Sequence, residues 1–161
     1  MTNAETEIII PAGEPLIEVR RFFKAPPELV YRACTEGGFL RRWFGPSRLE
    51  VSECEVDLRV GGTWRIVQRA PDGMEFAFHG EFLELEPPHR RVGTFIFEGA
   101  PEHEAVETMV LEEVEDGTML TTTARHSSLE ARDMHVANGM EGGIMESNER
   151  LDEVLASMQA A

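Results

Sequence analysis

Histidine and acidic side chains in predicted strands are the residues of this chain that could do chemistry. His79 and His126 lie in segments with the alternating pattern of β-strands, and Glu81 and Glu107 lie in similar segments. Each could point into an interior and exchange a proton with a bound molecule. The sequence leaves open which of them point inward, because a shift of one residue in strand pairing turns every side chain to the other face.

Motifs of several common chemistries are missing from the sequence. It has no Gly-x-Ser-x-Gly nucleophile elbow, no glycine-rich phosphate-binding loop and no His-Glu-x-x-His zinc motif. Cys34 would need a histidine base beside it to act as a nucleophile, and its apolar helical setting favours a packed thiol. We therefore expect no catalytic residue, no metal site and no cofactor, and an enzyme remains an open alternative.

Aromatic and sulfur-containing side chains form a richer set, and they are the usual lining of an apolar ligand pocket. They come from two short predicted helices, from the strands and from the last helix. An ordinary packed core would use the same side chains, so it is the alternative to a pocket. With two strand histidines and one helical asparagine, the predicted pocket residues are Trp43, Phe44, Trp64, Phe76, Phe78, His79, Phe95, Phe97, His126, Met140, Ile144 and Asn148.

Charge excludes one class of partner. The net charge is −15, from 30 acidic and 15 basic residues, so the chain would repel the phosphates of nucleic acid. No stretch approaches the roughly 18 apolar residues that a membrane span requires, and no basic, apolar leader is visible in the first residues. We expect a cytoplasmic protein with no membrane span and no nucleic-acid partner.

The order of predicted elements indicates an α+β domain. A strand over 16–24 is followed by two short helices that end before Gly45, then by six strands between 49 and 126. Apolar residues at helical spacing then predict one long helix over 129–159. Strands in series followed by a terminal helix favour an antiparallel sheet covered by that helix.

The same sequence pattern predicts the domain organisation. We predict a flexible N-terminal arm over residues 1–13 and a single domain over residues 14–161. Ile8, Ile9 and Ile10 could add a short strand, although Pro11 interrupts it.

Residues 22–64 carry the clearest resemblance to a known family. They run from a strand through an Ala-Pro-Pro helix start and an aromatic helix to a Gly-Gly-Thr-Trp turn at 61–64. Further matches fall in order at 79–80, 86–90 and 139–143. This order resembles the family related to the activator of heat shock protein 90 ATPase, in the START-like or SRPBCC superfamily of helix-grip proteins that resemble the birch pollen allergen.

The resemblance implies a curved antiparallel β-sheet wrapped around a long C-terminal helix, with two short helices after the first strand. Two positions depart from the family pattern, since Ile144 stands where tryptophan is frequent and Asn148 where leucine is frequent. Both changes favour a roomier interior, and repacking by neighbouring methionines is the alternative.

Function remains open among three hypotheses. The leading one is a protein that binds a hydrophobic or amphipathic small molecule in a cavity between sheet and helix. The second is a cyclase or hydrolase that uses an acid or histidine in the same cavity. The third is a cochaperone-like activator with a heat-shock-protein ATPase as chaperone partner. The sheet edge and the N-terminal arm also leave a homodimer open.

Overall fold

The computed structural model describes residues 6–160 and contains one antiparallel sheet and four helices. In chain order the elements are β1 (Thr6–Ile9), β2 (Leu16–Phe23), α1 (Pro27–Thr35), α2 (Gly37–Trp43), β3 (Glu50–Val56), β4 (Thr63–Arg69), β5 (Glu75–Glu86), β6 (Arg90–Phe97), β7 (Ala105–Val114), β8 (Gly117–His126), α3 (Leu129–Ala137) and α4 (Met140–Ala160). The predicted strands and short helices are present in the predicted order.

The sheet has eight strands in the order β1-β2-β8-β7-β6-β5-β4-β3. The last six strands of the chain form a meander, and β2 returns to pair with β8, so that β1 and β3 are the two edges. Every pairing is antiparallel. The sheet curves around the helices, which confirms the predicted α+β helix-grip fold.

The main core lies between α1, the central strands and the second half of α4. Pro26 and Pro27 start α1, where proline costs no intrahelical hydrogen bond. The apolar face of α1 then packs on the sheet. The fully or nearly fully buried members of this core are Phe23, Ala25, Val30, Tyr31, Ala33, Cys34, Met109, Leu111, Leu120, Leu151 and Leu155.

Hydrogen bonds hold α4 along both of its flanks. On one side Arg150 donates to the carbonyl oxygens of Gly45 at 3.0 Å and Arg42 at 2.8 Å, just after and within α2. On the other side Arg21 of β2 donates two hydrogen bonds to Asp152, at 2.6 and 2.7 Å. A bidentate arginine–carboxylate pair fixes orientation as well as distance. These hydrogen bonds to α2 and β2 therefore fix the position of α4 across the curved sheet.

The predicted long C-terminal helix is confirmed as α4, but it begins at Met140 and not at 129, because the chain forms the separate helix α3 before it. Gly139 has φ of 83°, a conformation that glycine adopts without steric cost and that ends a helix. Ser128 caps the start of α3 by accepting a hydrogen bond from the Ala131 amide at 3.0 Å. The glycine that the pattern tolerates is thus a boundary between two helices.

The predicted flexible arm is partly a strand. β1 pairs with β2 along its whole length, with Ile8 opposite Val19 and Thr6 opposite Arg21. The isoleucine run supplies the β-branched residues for this edge strand, and Pro11 follows it. The remaining arm residues 1–5 lie outside the described part of the chain.

Alanine substitutions at Gly139, between α3 and α4, and at Gly143, inside α4, have opposite expected effects on stability. Gly139→Ala places a Cβ in a left-handed conformation and lowers the free energy of unfolding by about 1 kcal/mol. Gly143 lies inside α4 with no atom within 4 Å of an added Cβ, so Gly143→Ala raises it by up to about 1 kcal/mol. Urea unfolding of both variants measures the difference, and equal effects of the same sign would contradict the helix break.

Candidate functional site

The two faces of the sheet differ in what their side chains contact. Trp64 of β4 is buried, and Gln68 of the same strand donates a hydrogen bond to the carbonyl of Phe44 at the end of α2, at 3.3 Å. Arg21 of β2 reaches Asp152 of α4. We call this helix-facing side the inner face. Because paired residues in antiparallel strands share a face, the register assigns the other strand residues.

Five aromatic side chains form a contiguous surface that we call the aromatic wall. The ring centroid of Phe78 lies 5.7 Å from that of Phe44, 5.4 Å from Phe95 and 5.2 Å from Phe97. Trp64 extends the wall, with its centroid 5.7 Å from Phe95. Phe78, Phe95 and Phe97 are only partly buried, so part of their apolar surface stays exposed.

Two glycines on the inner face make room for polar side chains. An added Cβ at Gly80 would lie 2.6 Å from the indole nitrogen Nε1 of Trp64. An added Cβ at Gly93 would lie 3.2 Å from Nη1 of Arg91. The indole and the guanidinium therefore lie directly over backbone that carries no side chain.

Beside the aromatic wall lies a polar cluster made of Arg91, Glu107, His126 and His135. Nη2 of Arg91 on β6 donates to Oε1 of Glu107 on β7 at 2.6 Å. The side chain of Arg91 is 9% exposed and that of Glu107 is 27% exposed, so the arginine is the deeper partner. Breaking such a pair by removing one member leaves an uncompensated buried charge.

The two histidines complete the polar cluster from neighbouring elements. His126 of β8 pairs with Ala105 of β7, and Ala105 is the inner-face residue next to Glu107 on that strand. The ring centroid of His126 lies 5.3 Å from that of His135 on α3. Burial lowers the pKa of His126 to about 4, and the neighbouring His135 and Arg132 act in the same direction. His126 is therefore neutral at pH 7.

Four buried side-chain nitrogens of the inner face have no hydrogen-bond partner within residues 6–160. They are Nε of Arg21, Nε1 of Trp64, Nε of Arg91 and Nε2 of His126. Arg21 is 3% exposed and the other three residues are 8% exposed. Leaving a buried polar group unpaired costs about 1–3 kcal/mol, and such groups mark positions where a ligand or ordered water supplies the partner.

The first half of α4 faces the sheet through Met140, which is buried, and Ile144, which is half-buried. On the strands, Phe78, Phe95 and Phe97 are also only half-buried, so part of the aromatic wall stays exposed.

Most of the predicted pocket residues are brought together by this arrangement. The register puts Phe76 on the inner face, two positions before Phe78, and His126 falls in the polar cluster. The residues that lie on the inner face or on the helices above it are Phe44, Trp64, Phe76, Phe78, Phe95, Phe97, His126, Met140 and Ile144.

The prediction that His79 lines the pocket is wrong, because His79 lies on the outer face. It pairs with Arg65 across β4 and β5, and its Nδ1 lies 2.9 Å from Oε2 of Glu98. Arg65 also binds Glu98 and Glu53. Hydrogen bonds from Arg65 and His79 lower the pKa of Glu98 to about 2, so this group of side chains is a surface ion-pair network.

Trp43 and Asn148 also lie apart from the aromatic wall. The indole nitrogen of Trp43 donates to the carbonyl of Ala33 at 2.8 Å, and its ring packs against the main core. Nδ2 of Asn148 donates to Oγ1 of Thr6 on β1 at 3.2 Å. Trp43 thus joins α1 to α2, and Asn148 helps to hold the flank of α4.

Arg91 is a candidate site residue that the sequence does not reveal. It is the second of two adjacent arginines, and only the register shows that Arg90 points outward to Glu84 while Arg91 points inward. Small residues at the neighbouring inward positions, Gly93 and Ala105, are the signal that could have indicated a hollow there.

Two clefts lie beside the inner face. One of about 430 Å³ lies between the β1–β2 edge and α4, lined by Thr6, Arg21, Met145, Glu149, Asp152 and Glu153. The other, of about 200 Å³, lies at the ends of β3 and β4, lined by Glu55, Val56, Asp57, Thr63, Trp64 and Arg65. Trp64 connects the second cleft with the aromatic wall.

Cysteine and metal chemistry gain no support from the described residues. Burial raises the pKa of Cys34 to about 12, so its thiolate is scarce at neutral pH. Within residues 6–160, no three His, Cys, Asp or Glu side chains are grouped closely enough to hold a metal ion. None of the helices in that range is both long and apolar enough to cross a membrane.

A curved antiparallel sheet that holds a C-terminal helix, with two short helices after β2, defines the helix-grip class of proteins. A model of the family described as activator of Hsp90 ATPase homolog 1-like protein matches residues 24–156. The chain belongs to this family.

Solved structures agree with that membership. A Rhodobacter sphaeroides protein is 30% identical, with 95% of this chain and 99% of that chain covered and a TM-score of 0.88. A Nitrosomonas europaea protein is 29% identical, with 94% and 100% covered and a TM-score of 0.83. An AHSA1-like protein of Aeromonas hydrophila, 21% identical with 86% and 92% covered and a TM-score of 0.70, shares the fold. None of the curated proteins matches this sequence.

The lowered pKa of His126 predicts acid sensitivity. Because the unfolded chain binds a proton near pH 6.5 and the folded chain only near pH 4, the free energy of unfolding falls as the pH drops between these values, by about 1 kcal/mol per pH unit. His126→Gln removes this contribution. Urea unfolding between pH 7.5 and 5 measures the slope, with His89→Gln, an exposed histidine, as the matched control that keeps it. An unchanged slope in His126→Gln would contradict the burial of a neutral imidazole.

Proposed function

We propose that this protein binds an amphipathic small molecule between the inner face of the sheet and α4. The apolar part of the ligand contacts the aromatic wall, and its polar part faces the polar cluster. The observation that carries this proposal is the combination of a partly exposed aromatic wall with buried nitrogens that lack a partner.

The arrangement of the two surfaces supports an amphipathic ligand. Phe95 lies at the border, since its ring contacts Trp64 and Phe78 on one side and its backbone pairs with Ala105, the neighbour of His126, on the other. Apolar rings with a few convergent polar groups are the usual composition of small-molecule sites. Covering about 200 Å² of apolar surface contributes about 5 kcal/mol before the cost of association is subtracted.

Departure of Ile144 from the family's frequent tryptophan supports the same proposal. Ile144 is half-buried on the side of α4 that faces the sheet, and α4 is held by its flanks through Arg21 and Arg150. An isoleucine there fills less of the space above the aromatic wall than an indole would.

Filling that space should abolish binding. We expect the wild-type protein to bind Nile red, an uncharged fluorescent dye, with saturable emission enhancement. Ile144→Trp, which places an indole above the aromatic wall, should raise the dissociation constant for the dye at least tenfold. Fluorescence titration measures both values.

The matched control adds the same indole to α4 at a position away from the aromatic wall. Glu141→Trp adds the same side chain to an exposed position of α4 and should bind the dye as the wild type does. Equal binding by all three proteins, or no saturable binding by the wild type, would contradict the proposal. Native mass spectrometry of the purified protein, followed by solvent extraction, identifies the chemical class of any molecule that copurifies.

A further inference from the structure

The helix α3 packs against the ring of His126. His126 is the last residue of β8, and α3 begins shortly after it at Leu129. The ring centroids of His126 and His135 on α3 lie 5.3 Å apart, with an angle of 39° between the ring planes. His126 is 8% exposed, whereas His135 is an exposed residue. Separation of α3 from β8 would therefore bring the imidazole of His126 into water.

A proton on His126 would enter a place that already holds positive charge. The charged and titratable groups around its ring are Arg132 and His135 of α3, His103 before β7, and Glu107 of β7. Arg132 is 5% exposed. Glu107 already accepts a hydrogen bond of 2.6 Å from Arg91. Nε2 of His126 has no hydrogen-bond partner within residues 6–160, so a protonated ring, in which both nitrogens are donors, would be poorly compensated there.

Few contacts hold α3 in place. Of its nine residues it buries only Ala131 and Arg132, and Nη1 of Arg132 donates to the carbonyl oxygens of Pro11 and Glu14 at 2.9 and 2.8 Å. The chain between α3 and α4 passes through Gly139, whose φ of 83° separates the two helices. α4 is held independently, by its own buried residues and by hydrogen bonds to β2 and to the chain after α2. α3 can therefore leave its place while α4 stays.

We propose that acidification opens α3 while the sheet and α4 stay folded, because His126 takes up a proton once α3 has left it. This response belongs to the protein without ligand and adds a conformational switch to the binding role proposed above. The groups that drive it are the buried imidazole of His126 and the positive charge that α3 places beside it.

Proton linkage sets the direction and the size of the response. With α3 open, His126 is solvated and binds a proton near pH 6.5. With α3 closed, burial and then the neighbouring His135 and Arg132 hold the pKa of His126 at about 4. The opening equilibrium constant therefore rises as the pH falls below 6.5, by nearly tenfold per pH unit until pH 4 is approached. Between pH 7.5 and 5.0 the expected rise is about 25-fold.

Hydrogen–deuterium exchange with mass spectrometry measures the opening of each segment. Peptides from α3 and from the second half of α4 are compared at pH 7.5 and 5.0, and division by the intrinsic exchange rates gives protection factors. We expect the protection factor of α3 to fall at least tenfold in acid. It should also be unchanged between 0 and 1 M urea, because a local opening exposes little surface.

Two results in the wild type would overturn the proposal. One is an α3 protection factor that stays constant between the two pH values. The other is an α3 protection factor that falls with urea as steeply as that of α4, since α3 would then leave only in global unfolding. Both comparisons use the unaltered chain, so they remain decisive if a variant folds poorly.

Replacing His126 tests whether this imidazole drives the opening. His126→Gln keeps a side-chain N–H donor but does not titrate, so the acid-induced fall for α3 should shrink to less than threefold. His89→Gln, at an exposed position before β6, should keep the full fall. His103 and His135 are unaltered in His126→Gln, so a tenfold fall that persists there would assign the response to them and contradict the proposal.

Failure of the two proposals can be told apart. If α3 keeps its protection in acid while the wild type binds Nile red and Ile144→Trp does not, the binding function stands and the acid opening is wrong. If α3 opens in acid but the dye does not bind, the switch is present and the proposed function fails.

Discussion

The support of α4 by its flanks is the constraint on which the interior depends. Arg150 binds the chain after α2, and Arg21 binds Asp152 from β2, so the height of the helix is fixed at both sides of the sheet. A helix attached only by its apolar face would settle onto the strands until side chains filled the gap, because interiors pack to high density. Here directional hydrogen bonds replace part of that apolar contact. The second half of α4 packs into the core through Leu151 and Leu155, whereas the first half buries Met140 and leaves Ile144 half-buried.

Burial of the Arg91–Glu107 pair is costly to the fold, and this cost argues for a role. Taking two charges out of water is repaid only when geometry is good and the remaining hydrogen-bonding capacity is used. One hydrogen bond of 2.6 Å is made, yet Nε of Arg91 stays unpaired. Replacing a buried ion pair by well-packed apolar residues is often neutral for stability. The incomplete hydrogen bonding of this pair is therefore one of the observations that support the proposed binding site.

Sequence alone predicted the fold and much of the site, because both depend on local patterns. The alternation of apolar and polar residues, together with the turn residues, predicts the strands. All five residues of the aromatic wall are among the predicted pocket residues. The face of each strand could not be predicted, since it depends on pairing with distant residues. His79 was placed inward and Arg91 was overlooked for this single reason. The glycines at 139–143 suggest close packing or a bend, but helical spacing continues across Gly139, and a glycine inside such a pattern is ambiguous, so the sequence does not decide that one helix ends there. The isoleucines before Pro11 indicate a possible strand, and pairing with β2 sets its bounds at Thr6–Ile9.

Gly139 separates two helices, α3 and α4, that are anchored to the rest of the protein by different amounts of buried contact. α3 buries only Ala131 and Arg132, whereas α4 is anchored on both flanks and in the core. Local opening free energies follow the amount of buried contact, so α3 is the segment that exchanges its amide hydrogens sooner. Because the ring of His126 packs against His135 of α3, opening of α3 would expose His126 and leave α4 in place. For the ligand proposed above, this opening is a route in and out that needs no global unfolding.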